Sequence, residues 1–163
     1  MNGLNQVCGA VLEALRSAGL TAVNAYEGAA KQYHGPVTAV GVESVQGRTA
    51  GLGGYLGERW DPESGTVREV YGMQMDVTVL LEIRAPAAAD CEQTMEAAAG
   101  VLMNALPAGL RPGEMNWQGI SWDKANGMFL RKGTLQCRAA FTAESAGEGS
   151  ELLDFILKGT VRT

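Results

Sequence analysis

His34 is the only imidazole in the chain, so any histidine chemistry must depend on it. A catalytic histidine needs a carboxylate or a nucleophile as its partner, and the residues close to His34 in the sequence supply neither. The neighbouring Gly35 and Pro36 indicate a break between elements. We therefore expect His34 to be a solvent-exposed loop residue without a catalytic role.

The three cysteines, Cys8, Cys91 and Cys137, are widely spaced, and each has apolar neighbours. Structural zinc sites are built from close cysteine pairs, which the sequence lacks. An odd number of cysteines on faces predicted to be buried favours free thiols in a core, kept reduced by their compartment. We expect no metal, no disulfide and no cofactor.

Two further patterns have the residue types of a chemical site but lack the surrounding residues or cleft that such a site needs. Glu92 and Glu96 are four residues apart on a predicted helix, but paired carboxylates act as acid and base only in a cleft that shifts one pKa. Gly51, Gly53 and Gly54 are not followed by the lysine, the hydroxyl residue and the helix of a phosphate-binding loop. No catalytic residue is therefore predicted, and we expect the protein not to be an enzyme.

Large side chains lie within a glycine-rich segment, Gln46 to Gly65, that is predicted to be an irregular loop. Aromatic residues among glycines are common at the centres of protein interfaces, but they can also fold back onto the core. Both alternatives remain open at this point. The residues of the predicted interface are Tyr55, Leu56, Arg59 and Trp60.

Residues 71 to 84 alternate between apolar and polar types, with Leu80 as the only exception. This period of two predicts a β-strand with one buried face. The strand would reach roughly 46 Å, whereas a compact domain of this length has a diameter of roughly 40 Å. A strand as long as its domain needs another surface to cover it, and a neighbouring subunit is the usual source.

The remaining pattern predicts an α+β fold. Apolar residues at helical spacing indicate helices at 4–18 and 87–105, the first ended by Gly19. Further strands are predicted at Ala22–Tyr26, Val37–Val45, Met115–Asp123 and Met128–Thr142. Asn126 and Gly127 suit a tight hairpin turn, and a bulge is predicted near Gly133.

At the end of the chain, residues 145–150 are predicted to be a loop, and residues 152–161 a strand or a short helix followed by a strand. The sheet is expected to be mixed or mainly antiparallel, with both helices packed on one face.

Length and charge restrict the function further. The chain has 163 residues, enough for one domain, which we place at 1–163. Its net charge is −5, and it contains no run of Lys and Arg, so sequence-specific binding to nucleic acid is not expected. There is no stretch of eighteen apolar residues and no signal-peptide pattern, which predicts a cytoplasmic protein that does not enter a membrane.

Two segments carry a resemblance to a known family. Gly51 to Gly72, GLGGYLGERWDPESGTVREVYG, and Asp154 to Val161, DFILKGTV, resemble tail terminator or tail-completion proteins from the tail operons of Gram-positive phages and prophages. The resemblance implies a structural protein that forms a ring, usually of six subunits, on the end of the tail tube. Its partners would be further copies of itself, the tail tube protein and the head-tail connector protein. It would be found in the bacterial cytoplasm during assembly and then in the neck of the virion.

An alternative of another class is a hotdog-like small-ligand binder or thioesterase, in which a helix packs across an antiparallel sheet. This alternative fits the element order but lacks a candidate acid, base or nucleophile. A folding chaperone for tail proteins is a third reading, against which the long strand argues. Native mass separates the first two, because a dimer or tetramer favours the enzyme, whereas a hexamer, or a monomer that assembles on a tube, favours the tail protein.

Overall fold

The fold is α+β, with two helices and a mixed, mostly antiparallel open sheet. A computed structural model describes residues 3–28, 33–50, 53–145 and 155–157. The helices are α1 (Gly3–Ser17) and α2 (Ala88–Asn104). The strands are β1 (Ala22–Val23), β2 (Val37–Thr49), β3 (Tyr55–Asp61), β4 (Thr66–Ala85), β5 (Leu110–Trp117), β6 (Ser121–Asp123), β7 (Met128–Ser145) and β8 (Phe155–Leu157).

The predicted long strand is confirmed and is longer than its sequence pattern. β4 has 20 residues, which corresponds to roughly 66 Å. β7 runs antiparallel along one edge of β4, while β2 and then β3 pair with the other edge. Both hydrogen-bonding edges of β4 are therefore covered within the chain, so the argument that a neighbouring subunit must cover this strand does not hold. Beyond the short parallel contact with β1, the outer edges of β2 and β3 have no partner strand among the described residues.

Both helices pack on one face of the sheet, as predicted. The main core joins Val11 and Leu15 of α1 and Leu102 of α2 to alternate residues of β4 and β7. α1 ends as expected at Gly19, whose φ is +83°. The Leu20 amide there donates to the Leu15 carbonyl across 3.1 Å, which satisfies an orphan carbonyl of the last turn.

The glycine-rich segment differs most from its prediction, because it is largely a hairpin rather than an irregular loop. β2 continues to Thr49, and β3 then pairs with the first half of β4. The reason is the unpaired edge that β4 offers, since each backbone group placed there gains a hydrogen bond. Gly57, at a φ of +128°, lies at the bulge near the start of β3, where the register shifts between Tyr55 and Gly57. Gly51 lies outside the described residues.

The predicted bulge near Gly133 is wrong, because β7 pairs with β4 in one unbroken register from Phe129 to Ser145. A glycine is needed at position 133 because the Trp117 ring lies directly over it: a Cβ there would lie 2.2 Å from Cε3 of Trp117. The irregularity falls in β5, between Pro112 and Met115.

The other boundaries differ by smaller amounts. The strand predicted at 115–123 is two strands, β5 and β6, with 118–120 between them. The strand predicted at 22–26 is only the two residues of β1. At the end of the chain, Phe155–Leu157 pairs with β7, whereas the rest of the predicted segments at 146–150 and 152–161 lies outside the described residues.

Candidate functional site

The residues first considered for chemistry are not brought together. His34 is exposed in a loop, and the Glu92 carboxylate accepts a hydrogen bond from Arg131 at 2.6 Å on the surface of α2. Cys91 and Cys137 are buried free thiols, and burial raises the pKa of Cys137 to about 11. Among residues 3–28, 33–50, 53–145 and 155–157, no cluster of His, Cys, Asp or Glu is arranged to hold a metal ion.

The β3–β4 hairpin, residues 55–71, is the most distinctive surface feature, and we call it the arm. Its turn is held by Asp61, whose carboxylate accepts hydrogen bonds from the Glu63 amide at 3.0 Å and from the Ser64 hydroxyl at 2.8 Å. Arg68 adds an ion pair to Asp61 at 2.6 Å. The Ser64 hydrogen bond, followed by that from Glu63 and by the charge of Arg68, lowers the pKa of Asp61. The turn is therefore held by contacts within the hairpin itself.

Three of the four predicted interface residues are exposed apolar side chains of the arm. Their exposed fractions are 45% for Tyr55, 50% for Leu56 and 60% for Trp60. The alternative in which they fold back onto the core is therefore wrong. Arg59 lies on the face of the hairpin opposite Tyr55 and Trp60, where it forms an ion pair with Glu144 at 2.9 Å. Leu56 is on the same face as Arg59, with its side chain over Gly72.

The register places Trp60 and its neighbours on the helix-side face of the arm, which we call the acidic–aromatic face. Trp60 is directly opposite Val67, Glu58 is opposite Glu69, and Tyr55 is opposite Tyr71. The Tyr71 hydroxyl donates to Glu69, and this hydrogen bond raises the pKa of Tyr71. Neither glutamate forms an ion pair with any described residue. The members of this face are Tyr55, Glu58, Trp60, Val67, Glu69 and Tyr71.

A second polar surface lies on the other face of the sheet, and we call it the arginine groove. Asp76 is at its centre, within 2.6 Å of Arg48 and 2.8 Å of Arg138. The hydrogen bond from Arg138, helped by the charges of Arg138 and Arg48, lowers the pKa of Asp76. Arg111 is directly opposite Arg138 and has no ion pair with a described residue. The groove has a volume of about 580 Å³ and crosses β2, β4, β7 and β5.

Sequence inspection missed Glu58, Val67 and Glu69 on the arm, and Arg48, Arg111 and Arg138 in the groove. A signal for the arm was present, because Asp61 to Gly65 reads DPESG, a typical turn sequence between two strands. The groove has no comparable signal, since its arginines come from three strands that only the sheet brings together.

Comparison with known proteins adds no assignment. A scan against models of protein families and a search of curated proteins each find no match for this chain. Within the described part of the chain, neither helix has the length and apolar character needed to cross a bilayer.

Proposed function

We propose that this protein is a structural component of a phage or phage-like tail, forming a ring that ends the tail tube and joins it to the head connector. The proposal extends the resemblance of the segments at 51–72 and 154–161. Six copies is the number that the resemblance implies. Its further partners are the tail tube protein and the connector protein.

The observation that carries the proposal is the exposed aromatic arm. Trp60 and Tyr55 are held on a hairpin with an ordered turn, and they remain exposed although the same sheet buries apolar residues elsewhere. Tryptophan and tyrosine are the residues that most often dominate binding energy at interfaces. An arm that presents them suits a protein whose function is to contact other subunits.

The charge of the chain agrees with a ring through which DNA passes. A net charge of −5 favours a channel wall that repels phosphate rather than binding it.

The test is to mix the purified protein with tail tubes of the same phage or prophage and to image them by negative stain. We expect rings that cap the tubes. Trp60→Ala should impair capping while leaving the thermal melt of the monomer nearly unchanged, because its side chain is 60% exposed.

A matched control is Trp122→Ala, which removes a tryptophan that is 55% exposed on β6, away from the arm. This control should cap tubes normally. Particles that stay monomeric or dimeric, never cap a tube and bind a thioester would instead support the hotdog-like alternative.

A further inference from the structure

We infer that copies of this chain associate head to tail, with the acidic–aromatic face of one arm seated in the arginine groove of the next copy. The inference takes its biological purpose from the proposed ring, but its evidence is the complementarity of two surfaces of the chain.

The first step is the uncompensated charge of the arm. Glu58 and Glu69 are exposed and directly opposite each other, an arrangement that destabilises a hairpin unless a cation is near. On the other face of the same arm, Arg59 and Arg68 are also directly opposite, and each has a carboxylate within 2.9 Å. The arm therefore neutralises its arginines within the chain, whereas its two glutamates have no cationic partner among the residues that the structure describes.

The second step is the opposite imbalance in the groove. Arg48 and Arg138 both contact the carboxylate of Asp76, and Arg111 lies directly opposite Arg138, whereas Asp76 is the single carboxylate that lines the groove. The side chains of Arg48 and Arg138 are 60% and 58% exposed even though they hold Asp76. This surface is locally positive in a chain whose net charge is −5.

The third step is the match of residue types. Arginine pairs with carboxylates through two parallel hydrogen bonds, and its flat guanidinium also stacks on aromatic rings. The acidic–aromatic face offers both kinds of partner in adjacent rows, with Glu58 and Glu69 between Trp60 and the pair of tyrosines.

The fourth step is size. The groove crosses four strands, which places its outer strands about 14 Å apart. The arm is a two-stranded ribbon whose strands are about 5 Å apart, so it fits within that width. Contact through faces is also favoured over pairing of strand edges, because the open edges of β2 and β3 both carry bulges, at Val42/Ser44 and Tyr55/Gly57.

Head-to-tail contacts between these two surfaces can also close into a ring. The two surfaces lie on different parts of one chain, so each copy offers one of each kind. Such contacts form a ring if the rotation between copies closes and a filament if it does not.

The experiment uses two charge-reversed variants of the full chain, studied by sedimentation velocity at low and high salt. The arm variant is Glu58→Arg with Glu69→Arg. The groove variant is Arg48→Glu with Arg111→Glu, which keeps the ion pair between Arg138 and Asp76. We expect the wild type to associate, more weakly at high salt, and each variant alone to associate at least about tenfold more weakly.

Mixing the two variants should restore association, because each reversed surface then meets a surface of opposite charge. The mixture has the same mean net charge as the wild type, so general repulsion is controlled. Glu13→Arg with Glu96→Arg makes the same charge change on exposed positions of the helices and should behave as the wild type. If a reversed variant does not fold, Glu58→Gln with Glu69→Gln and Arg48→Gln with Arg111→Gln weaken the same contact without reversal.

Three results would overturn the inference: a wild type that remains monomeric, variants that associate like the wild type, or a mixture that stays dissociated. A wild type that remains monomeric but still caps tail tubes would reject this contact and leave the proposed function standing. A groove variant that loses affinity for a DNA duplex while its self-association is unchanged would assign the arginines to phosphate instead.

Discussion

The two ends of β4 differ both in sequence pattern and in surroundings, because Glu69 and Val70 break the alternation seen at 71–84. From Val77 to Ala85, every second residue lies beneath the helices, and each is at most 1% exposed. From Thr66 to Tyr71, within the arm, the same face is more open, and Val67 is 48% exposed, whereas Met75 still packs against the main core. Both edges of the strand are paired over nearly all of its length, so the difference is in the covering of its faces.

This comparison shows that hydrogen bonding and burial are separate requirements of a long strand. The hydrogen bonds of β4 are formed within the chain, through β2, β3 and β7. Burial of its apolar face is reached only where the helices pack. We therefore expect global stability to depend on the covered end and association to depend on the arm.

The largest difference between the two ends should come from one substitution made in both. Val77→Asp buries a carboxylate without a partner, which we expect to cost several kcal/mol and to leave the protein unfolded or insoluble. Val67→Asp, on the same strand and face, should change the free energy of unfolding by at most about 1 kcal/mol. Thermal melts of both variants check this. A soluble Val77→Asp protein with a cooperative melt would show that the buried face is assigned wrongly.

A smaller difference is expected at two glycines that lie beneath large side chains. Gly133→Ala places a Cβ against the ring of Trp117, which is partly buried and packs against the core, and should cost about 1–3 kcal/mol. Gly72→Ala meets mainly Leu56, a half-exposed side chain that can rotate away, so we expect a cost of up to about 1 kcal/mol. Urea unfolding measures both. Equal costs would indicate that the arm is packed as tightly as the core.

The smallest effects should come from two carboxylates with lowered pKa values. In the covered half, the hydrogen bond from Asn126, followed by that from Arg84, lowers the pKa of Asp123. A lowered pKa in the folded state contributes stability above the unfolded pKa, and this contribution is lost as pH falls through the folded pKa. Asp123→Asn should therefore be less stable than the wild type at neutral pH, and the gap should close below about pH 4.

The control for this measurement is Asp61→Asn in the arm. Asp61 also has a lowered pKa, but its turn can open without unfolding the core. We expect its effect on the global melt at neutral pH to be smaller than that of Asp123→Asn. If Asp61→Asn has the larger effect, the arm is part of the cooperative unit.

The helices and strands whose apolar residues recur at a regular spacing were predictable from the sequence. The helix positions, the central strand and the helix cap at Gly19 were predicted to within a few residues, because their apolar spacing matches the geometry of one element. The hairpin at 55–71 was not recognised, since the glycines concealed a strand that is held by its pairing with β4. Gly133 was assigned to a bulge because the sequence does not show that Trp117 would lie over it.

Thus the fold class and the inward face of β4 follow from the order of neighbouring residues alone. The exposure of Tyr55 and Trp60 did not follow from the sequence, which allowed them to fold back onto the core, and it is seen only in the structure. Only the tertiary structure decided which residues share a surface. The pairing of Glu58 with Glu69, and the meeting of Arg48, Arg111 and Arg138 around Asp76, depend on strand register. A shift of one residue in register would move these side chains to opposite faces. Register is set by the packing of the whole sheet, and that information is not present in any single segment of the chain.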